Sequence, residues 1–269
     1  RKYWLYVPAS VAGKTNVPVV FSLHGRYGTG DPNDAGKPLF TSLAKEKGFI
    51  VVYPQGRDAS SEQDIKDYPG DWSNAFGGGT GWEATGKENA DTKFIKAIVD
   101  EIKTIYNSNS NISVDPKKFY LCGFSMGGMM TYACAKVLNG TFAAYGSCSG
   151  YPLNEFHMNL ATENPIPFIH MHGNKDQILG IKHLNTIIEN LLFRNGCDLS
   201  NQVIDKEWAT TNENGEKLPF KKYDFIGVNG VNGVNGVPVT TVTFDGLWHS
   251  IEASAPAYLW KFFKGKTTD

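Results

Sequence analysis

The stretch "GFSMGGMM", residues 123–130, constrains the chain most. A serine sits among three glycines, between the apolar run "FYLC" and a methionine-rich segment with helical patterning. A strand feeding a helix through so short a turn forces strained backbone at the central residue. Glycines two positions either side, Gly123 and Gly127, remove the side chains that would clash with it. A phosphate-binding loop would need a lysine after the glycines, and Met129 stands there instead. The stretch therefore predicts an exposed Ser125 hydroxyl at the carboxyl end of a strand, where open α/β sheets hold their ligand crevice.

The rest of the chain alternates to match. "VPVVFSLHG", "GFIVVYPQG", "KKFYLCGFS", "AAYGSCSG" and "IPFIHMHG" are apolar runs closed by glycine or serine, as strands buried on both faces should be. Between them lie helical patterns. "NADTKFIKAIVDEIKTIY" puts Phe94, Ile95, Ile98, Val99, Ile102 and Ile105 on one stripe. "SMGGMMTYACAKVLNG" ends at Gly140, and "LGIKHLNTIIENLLFRNG" and "SAPAYLWKFFKG" follow. This order predicts an α/β fold with a mostly parallel sheet covered by helices on both faces. No shift in composition divides residues 1–269, so one domain is expected. Two segments break the rhythm: a Gly- and Trp-rich loop over 56–88, and an insertion around 204–244. The latter reads as a hairpin near Asn214-Gly215 followed by the loop "VNGVNGVNGV".

A serine hydroxyl needs a base, and the base an acid to orient it. In this class of fold the three follow in the order serine, acid, histidine. Of six histidines, His249 lies after the last strand-like run and is the base of choice. Asp176, a few residues past the strand "FIHMHG", is the acid. Asp245 is its rival but stands only four residues before His249, an awkward approach to the ring. An oxyanion hole needs two backbone donors. Met126 follows the serine, and Arg26 follows the "HG" that ends an early strand, with Tyr27 as the alternative. Tyr27, Trp82, Trp208 and Trp248 are the aromatic candidates for substrate contact, and Trp72 lies in the same irregular loop as Trp82.

Other signals are excluded or absorbed. "GKT" at 13–15 has Pro8 where a P-loop needs its first glycine, and "GRYGTG" has Tyr27 where a dinucleotide fingerprint needs glycine. "HMH" lacks a third ligand at metal spacing, so neither metal nor cofactor is expected. The net charge of −1 implies no basic surface for nucleic acid or anionic membrane. Cys122, Cys134 and Cys148 read as buried thiols and Cys197 as a loop residue. The opening "RKYWLYVP" is strand-like at once, as in a chain whose leader has been removed. Sequons at Asn111 and Asn139 would be usable in a secreted eukaryotic protein.

"DPKKFYLCGFSMGGMMTYACA", "PIPFIHMHGNKD" and "GLWHS" resemble the α/β-hydrolase esterases of carbohydrate esterase family 1. That grouping holds feruloyl esterases, acetylxylan esterases and the related polyhydroxybutyrate depolymerases. The resemblance runs from the "LHG" strand to the last helix. It implies Ser125 as nucleophile, Asp176 as acid and His249 as base. It also implies a secreted serine esterase acting on phenolic or acetyl esters of xylan, with feruloyl esters of arabinoxylan the first expectation and acetylated xylan the second. Binding or docking modules outside these residues are expected partners. A hydrolase-fold carbohydrate-binding module without catalysis is the reading from another class; a serine peptidase would usually need a gating domain.

Overall fold

The computed structural model describes residues 1–58, 79–108, 111–152, 165–181, 184–205, 209–211, 217–227 and 237–268; for residue 185 and for 197–227 only the backbone is described. The strands are β1 (Tyr3–Tyr6), β2 (Val17–Leu23), β3 (Ile50–Pro54), the short β4 (Arg57–Asp58) and β5 (Thr80–Gly81), β6 (Val114–Phe124), β7 (Ala144–Cys148), β8 (Phe168–Gly173), β9 (Cys197–Asp205), β10 (Ala209–Thr211), β11 (Lys217–Gly227) and β12 (Val239–Phe244). The helices are α1 (Thr41–Lys47), α2 (Ala90–Ser108), α3 (Met126–Val137), α4 (Leu184–Arg194) and α5 (Ala255–Phe263).

The main sheet runs in the order β1-β3-β2-β6-β7-β8-β12-β11-β10, with β9 also on β11. From β3 to β12 every pairing is parallel; β1 and β11 join antiparallel at either side. The parallel strands are apolar throughout because they are covered on both faces, and their side chains alternate between two cores. Val19, Phe21 and Leu23 of β2, with Phe119 and Leu121 of β6, join α2, α3 and α4. Val20, Tyr120 and Cys122 point the other way, toward α1 and α5. There Phe49 stacks on Trp260 at 4.1 Å and Tyr120 on Phe263 at 5.1 Å between centroids.

The helical stripe of α2 differs at one end. Ile95, Ile98, Val99 and Ile102 are buried, but Ile105 is 49% exposed near the end of the helix. Helix α3 gives way at Leu138, and Gly140 follows with a left-handed φ of 82°. The antiparallel addition starts earlier than the reading around 204: β9 begins at Cys197, which is therefore a strand residue. It also stops before β12, which lies parallel to β8 and is almost wholly buried, a core strand. β10 and β11 pair with Thr211 opposite Lys217, as a hairpin requires; Asn214-Gly215 and the "VNG" repeat at 228–236 lie outside the described residues. Trp72, His157, His183 and Trp208 lie outside them too.

Candidate active site

β6 ends at Phe124 in the middle of the sheet and α3 begins at Met126. Ser125 is the single residue between them, at φ 52° and ψ −118°. That left-handed φ is costly for a residue with a Cβ, and the surroundings hold it. The Ser125 N–H donates to the Cys148 carbonyl at 2.9 Å, and the Met129 N–H donates to the Ser125 carbonyl at 2.9 Å. Gly123 and Gly127 allow the turn to close. A Cβ on Gly123 would lie 2.4 Å from the Gly127 carbonyl, and one on Gly127 would lie 2.5 Å from the Leu23 oxygen.

His249 and Asp176 arrive on two loops that are tied to each other. The Asn174 side chain donates to Asp245 and accepts from the Gly246 N–H, and the Lys175 N–H donates to the Leu247 carbonyl. Asp245, the rival acid, is thus bound to Asn174, and Asp176 holds the imidazole. His249 Nδ1 lies 2.7 Å from Asp176 Oδ2, and His249 Nε2 lies 2.9 Å from Ser125 Oγ. The carboxylate fixes the proton on Nδ1 and leaves Nε2 as acceptor for the serine hydroxyl. Such an array can draw a proton from the hydroxyl as it attacks a carbon centre. Phe124 packs on the imidazole at 5.0 Å, a contact no sequence pattern marked.

Asp176 is buried, which works to raise its pKa. The hydrogen bonds from His172 and His249 and from the Leu179 N–H outweigh this and hold the carboxyl well below its ordinary value. On the oxyanion side, a Cβ on Gly25 would stand 3.4 Å from Ser125 Cβ, so the loop after β2 lies against the serine. In that loop the Tyr27 N–H is spent on the Thr80 carbonyl at 2.8 Å. Met126 opens α3, where backbone N–H groups have no acceptor within the helix.

The aromatic candidates separate. Trp248, beside His249, is 59% exposed, and Tyr27, beside Arg26, is 64% exposed. Trp82 is a correction: it has no exposed surface and cannot touch a ligand. Its Nε1–H donates to the His24 carbonyl at 2.8 Å and its ring lies 5.0 Å from the His24 ring, so burial leaves no polar atom unpaired. Its backbone N–H points at Met126 Sδ, 3.2 Å away, so one residue braces both the loop after β2 and the first residue of α3 beside Ser125. The "HMH" histidines are hydrogen-bonded to each other. Among the described residues, no three His, Cys, Asp or Glu are grouped to hold a metal ion, and Cys122, Cys134 and Cys148 are buried free thiols.

Comparison with known proteins agrees with this architecture. The family model described as Phospholipase/Carboxylesterase matches residues 16–205. A bifunctional acetylxylan esterase/xylanase of Neocallimastix patriciarum is 33% identical over 191 residues, 71% of this chain; the chain spans only 23% of that longer protein. A probable feruloyl esterase C of Aspergillus niger is 25% identical over 98% of this chain and 83% of its own length. The acetyl xylan esterase of Aspergillus awamori superposes with a TM-score of 0.60 at 18% identity, covering 97% of this chain and 93% of its own, a likeness of fold. The chain belongs to the phospholipase/carboxylesterase family of α/β-hydrolases, as a carboxylic ester hydrolase similar to feruloyl and acetylxylan esterases.

Proposed function

We propose that residues 1–269 form one catalytic unit that hydrolyses feruloyl esters on arabinoxylan through an acyl-enzyme on Ser125. The observation that carries this reading is the continuous hydrogen-bonded array from Ser125 Oγ through His249 to Asp176. His249 Nε2 takes the hydroxyl proton as Ser125 Oγ bonds to the ester carbonyl carbon. The amides of Met126 and Arg26 receive the oxyanion; Tyr27 is not used because its N–H already serves Thr80. Collapse of the tetrahedral intermediate breaks the bond to the sugar oxygen, which leaves with the proton from His249. A water then gives its proton to His249 and attacks the acyl-enzyme, releasing the acid and restoring Ser125. Asp176 stays ionised throughout and steadies the imidazolium.

The preference for an aromatic acyl group rests on the rim. Tyr27, Ile178 and Trp248 are exposed large hydrophobic side chains, and each lies within two positions of Arg26, Asp176 or His249. An acetyl group would leave such a rim unused, whereas a planar phenol can stack on it. The identity to a protein named as an acetylxylan esterase supports acetylated xylan as the second substrate. A polymer of this size is met outside the cell, so we place the enzyme there, with further modules beyond these residues.

The test compares ferulate release from methyl ferulate with acetate release from acetylxylan, each with Ser125→Ala as control. Higher kcat/KM on methyl ferulate, abolished in the variant, is expected. Higher kcat/KM on acetylxylan would replace the substrate reading. Normal hydrolysis by Ser125→Ala would overturn the mechanism, and no ester hydrolysis by the parent chain would favour a carbohydrate-binding module.

A further inference from the structure

Beside Asp176, on the α3 side of the sheet, lies a line of buried rings that the mechanism does not use. His170 and His172 alternate with Ile169 and Met171 along β8, so both point toward α3 rather than α5. Tyr132 of α3 meets them: its hydroxyl lies 2.8 Å from His170 Nδ1. His170 Nε2 lies 3.2 Å from His172 Nδ1. His172 Nε2 lies 2.7 Å from the Leu179 carbonyl and 3.2 Å from Asp176 Oδ2. Tyr151 stacks on His172 at 4.8 Å and on His170 at 5.7 Å, all three rings within 7° of parallel.

The chemistry of the last contact fixes the protons along the whole line. Leu179 O and Asp176 Oδ2 are both acceptors, so His172 Nε2 carries a proton. His170 is fully buried, and burial and then His172 hold it well below its ordinary pKa, so its ring is neutral. With the single proton of His172 on Nε2, its Nδ1 is an acceptor, and His170 Nε2 donates to it. His170 Nδ1 then accepts from the Tyr132 hydroxyl. Every donor faces the same way, toward Asp176, and aligned hydrogen bonds of this kind polarise one another.

We propose that His172, its tautomer set by His170 and Tyr132, is a positioning residue that holds the turn from Asp176 to Leu179 and aims Oδ2 of the acid at His249. The catalytic consequence rests on the triad reading above; the proton positions do not. The bonds it supplies anchor both the carboxylate and the main chain beside it. Its ring also fills space against Tyr151, and the two roles make opposite predictions. In His172→Phe the stacked ring stays and the donor goes. In His172→Gln the ring goes, and the amide can place an N–H near the lost Nε2–H.

The experiment has two parts. In the whole chain with ¹⁵N-labelled histidine, NMR should show protons on Nε2 and none on Nδ1 of both His170 and His172. Tyr132→Phe, which touches His170 but lies two hydrogen bonds from His172 Nε2, should shift the His172 Nε2 signal. A proton on His172 Nδ1, or an unmoved His172 signal, would overturn the relay whatever the enzyme does. In the second part, kcat on a nitrophenyl ester is normalised to the fraction of Ser125 labelled by a fluorophosphonate. His172→Gln should stay within about tenfold of the parent, and His172→Phe should fall a further 10-fold or so, the scale on which outer hydrogen-bond partners act. Equal activities, or Phe above Gln, would reduce His172 to packing. Failure of the serine mechanism itself would show separately, as full activity in Ser125→Ala with the tautomer result unchanged.

Discussion

Asp176 takes hydrogen bonds on both oxygens: Oδ1 from the N–H groups of Ile178 and Leu179, Oδ2 from His249 and His172. These donors stabilise the charged form against burial and hold the carboxyl well below its ordinary pKa. Asp176→Asn should therefore lower kcat/KM on a nitrophenyl ester by roughly 10³–10⁴, because an amide no longer enforces the His249 tautomer. Asp245→Asn should cost about tenfold or less, since among the described residues that side chain bonds to Asn174 and not to His249. Equal losses would return the acid's role to an open contest. That Asp176 rather than Asp245 meets the His249 ring was legible in the sequence, because an aspartate four residues away on one loop cannot easily face that ring. Trp82 was not. Its sequence neighbours are glycines and polar residues, and only the folded chain brings the His24 carbonyl to its indole N–H.

The element on which the site depends is the β6–Ser125–α3 turn. Its requirement is steric: the backbone of Gly127 lies against Leu23 and His24 of the neighbouring strand end, with no room for a methyl group. Gly127→Ala should destabilise the protein by about 1–3 kcal/mol, the usual range for overpacking. It should also lower kcat, since the serine and the loop after β2 would be pushed apart. Chemical denaturation and steady-state kinetics on one preparation test both; unchanged stability with full activity would contradict the packing. Such elements are legible because glycine spacing and alternating burial are local. The antiparallel addition was legible only in part. β9 to β11 were read as beginning near 204, since nothing in "CDLSNQVID" distinguishes a strand from a polar loop until β11 pairs with it. Ile105 failed for a related reason: the periodicity continues to the end of α2, but there Tyr106 rather than Ile105 packs against the core.

At the scale of the molecule, acid should loosen the fold before it affects any single bond. His24 is buried between the Gly25 carbonyl and the Gly56 N–H, and its pKa is lowered from 6.5 to about 4, chiefly by desolvation. The unfolded chain takes up that proton first, so stability falls as pH drops from 6.5 toward 4. His170, buried and also lowered, adds in the same direction. Asp176 follows further down, its stabilisation being lost below its unfolded value of 3.8. The melting temperature should drop steadily from pH 7 to pH 5 in scanning calorimetry, and a flat profile would contradict the buried neutral rings. The fold class was the most legible feature of all, because a parallel sheet writes itself as apolar runs ending in glycine. The substrate is the least legible, since the exposed Tyr27, Ile178 and Trp248 carry no spacing that names a ligand. The most direct test of the whole account is peptide mass spectrometry after fluorophosphonate treatment. One adduct on Ser125, formed with loss of esterase activity and greatly slowed in His249→Ala, is the predicted result. An unmodified Ser125 in protein whose activity has been abolished by the reagent would contradict it.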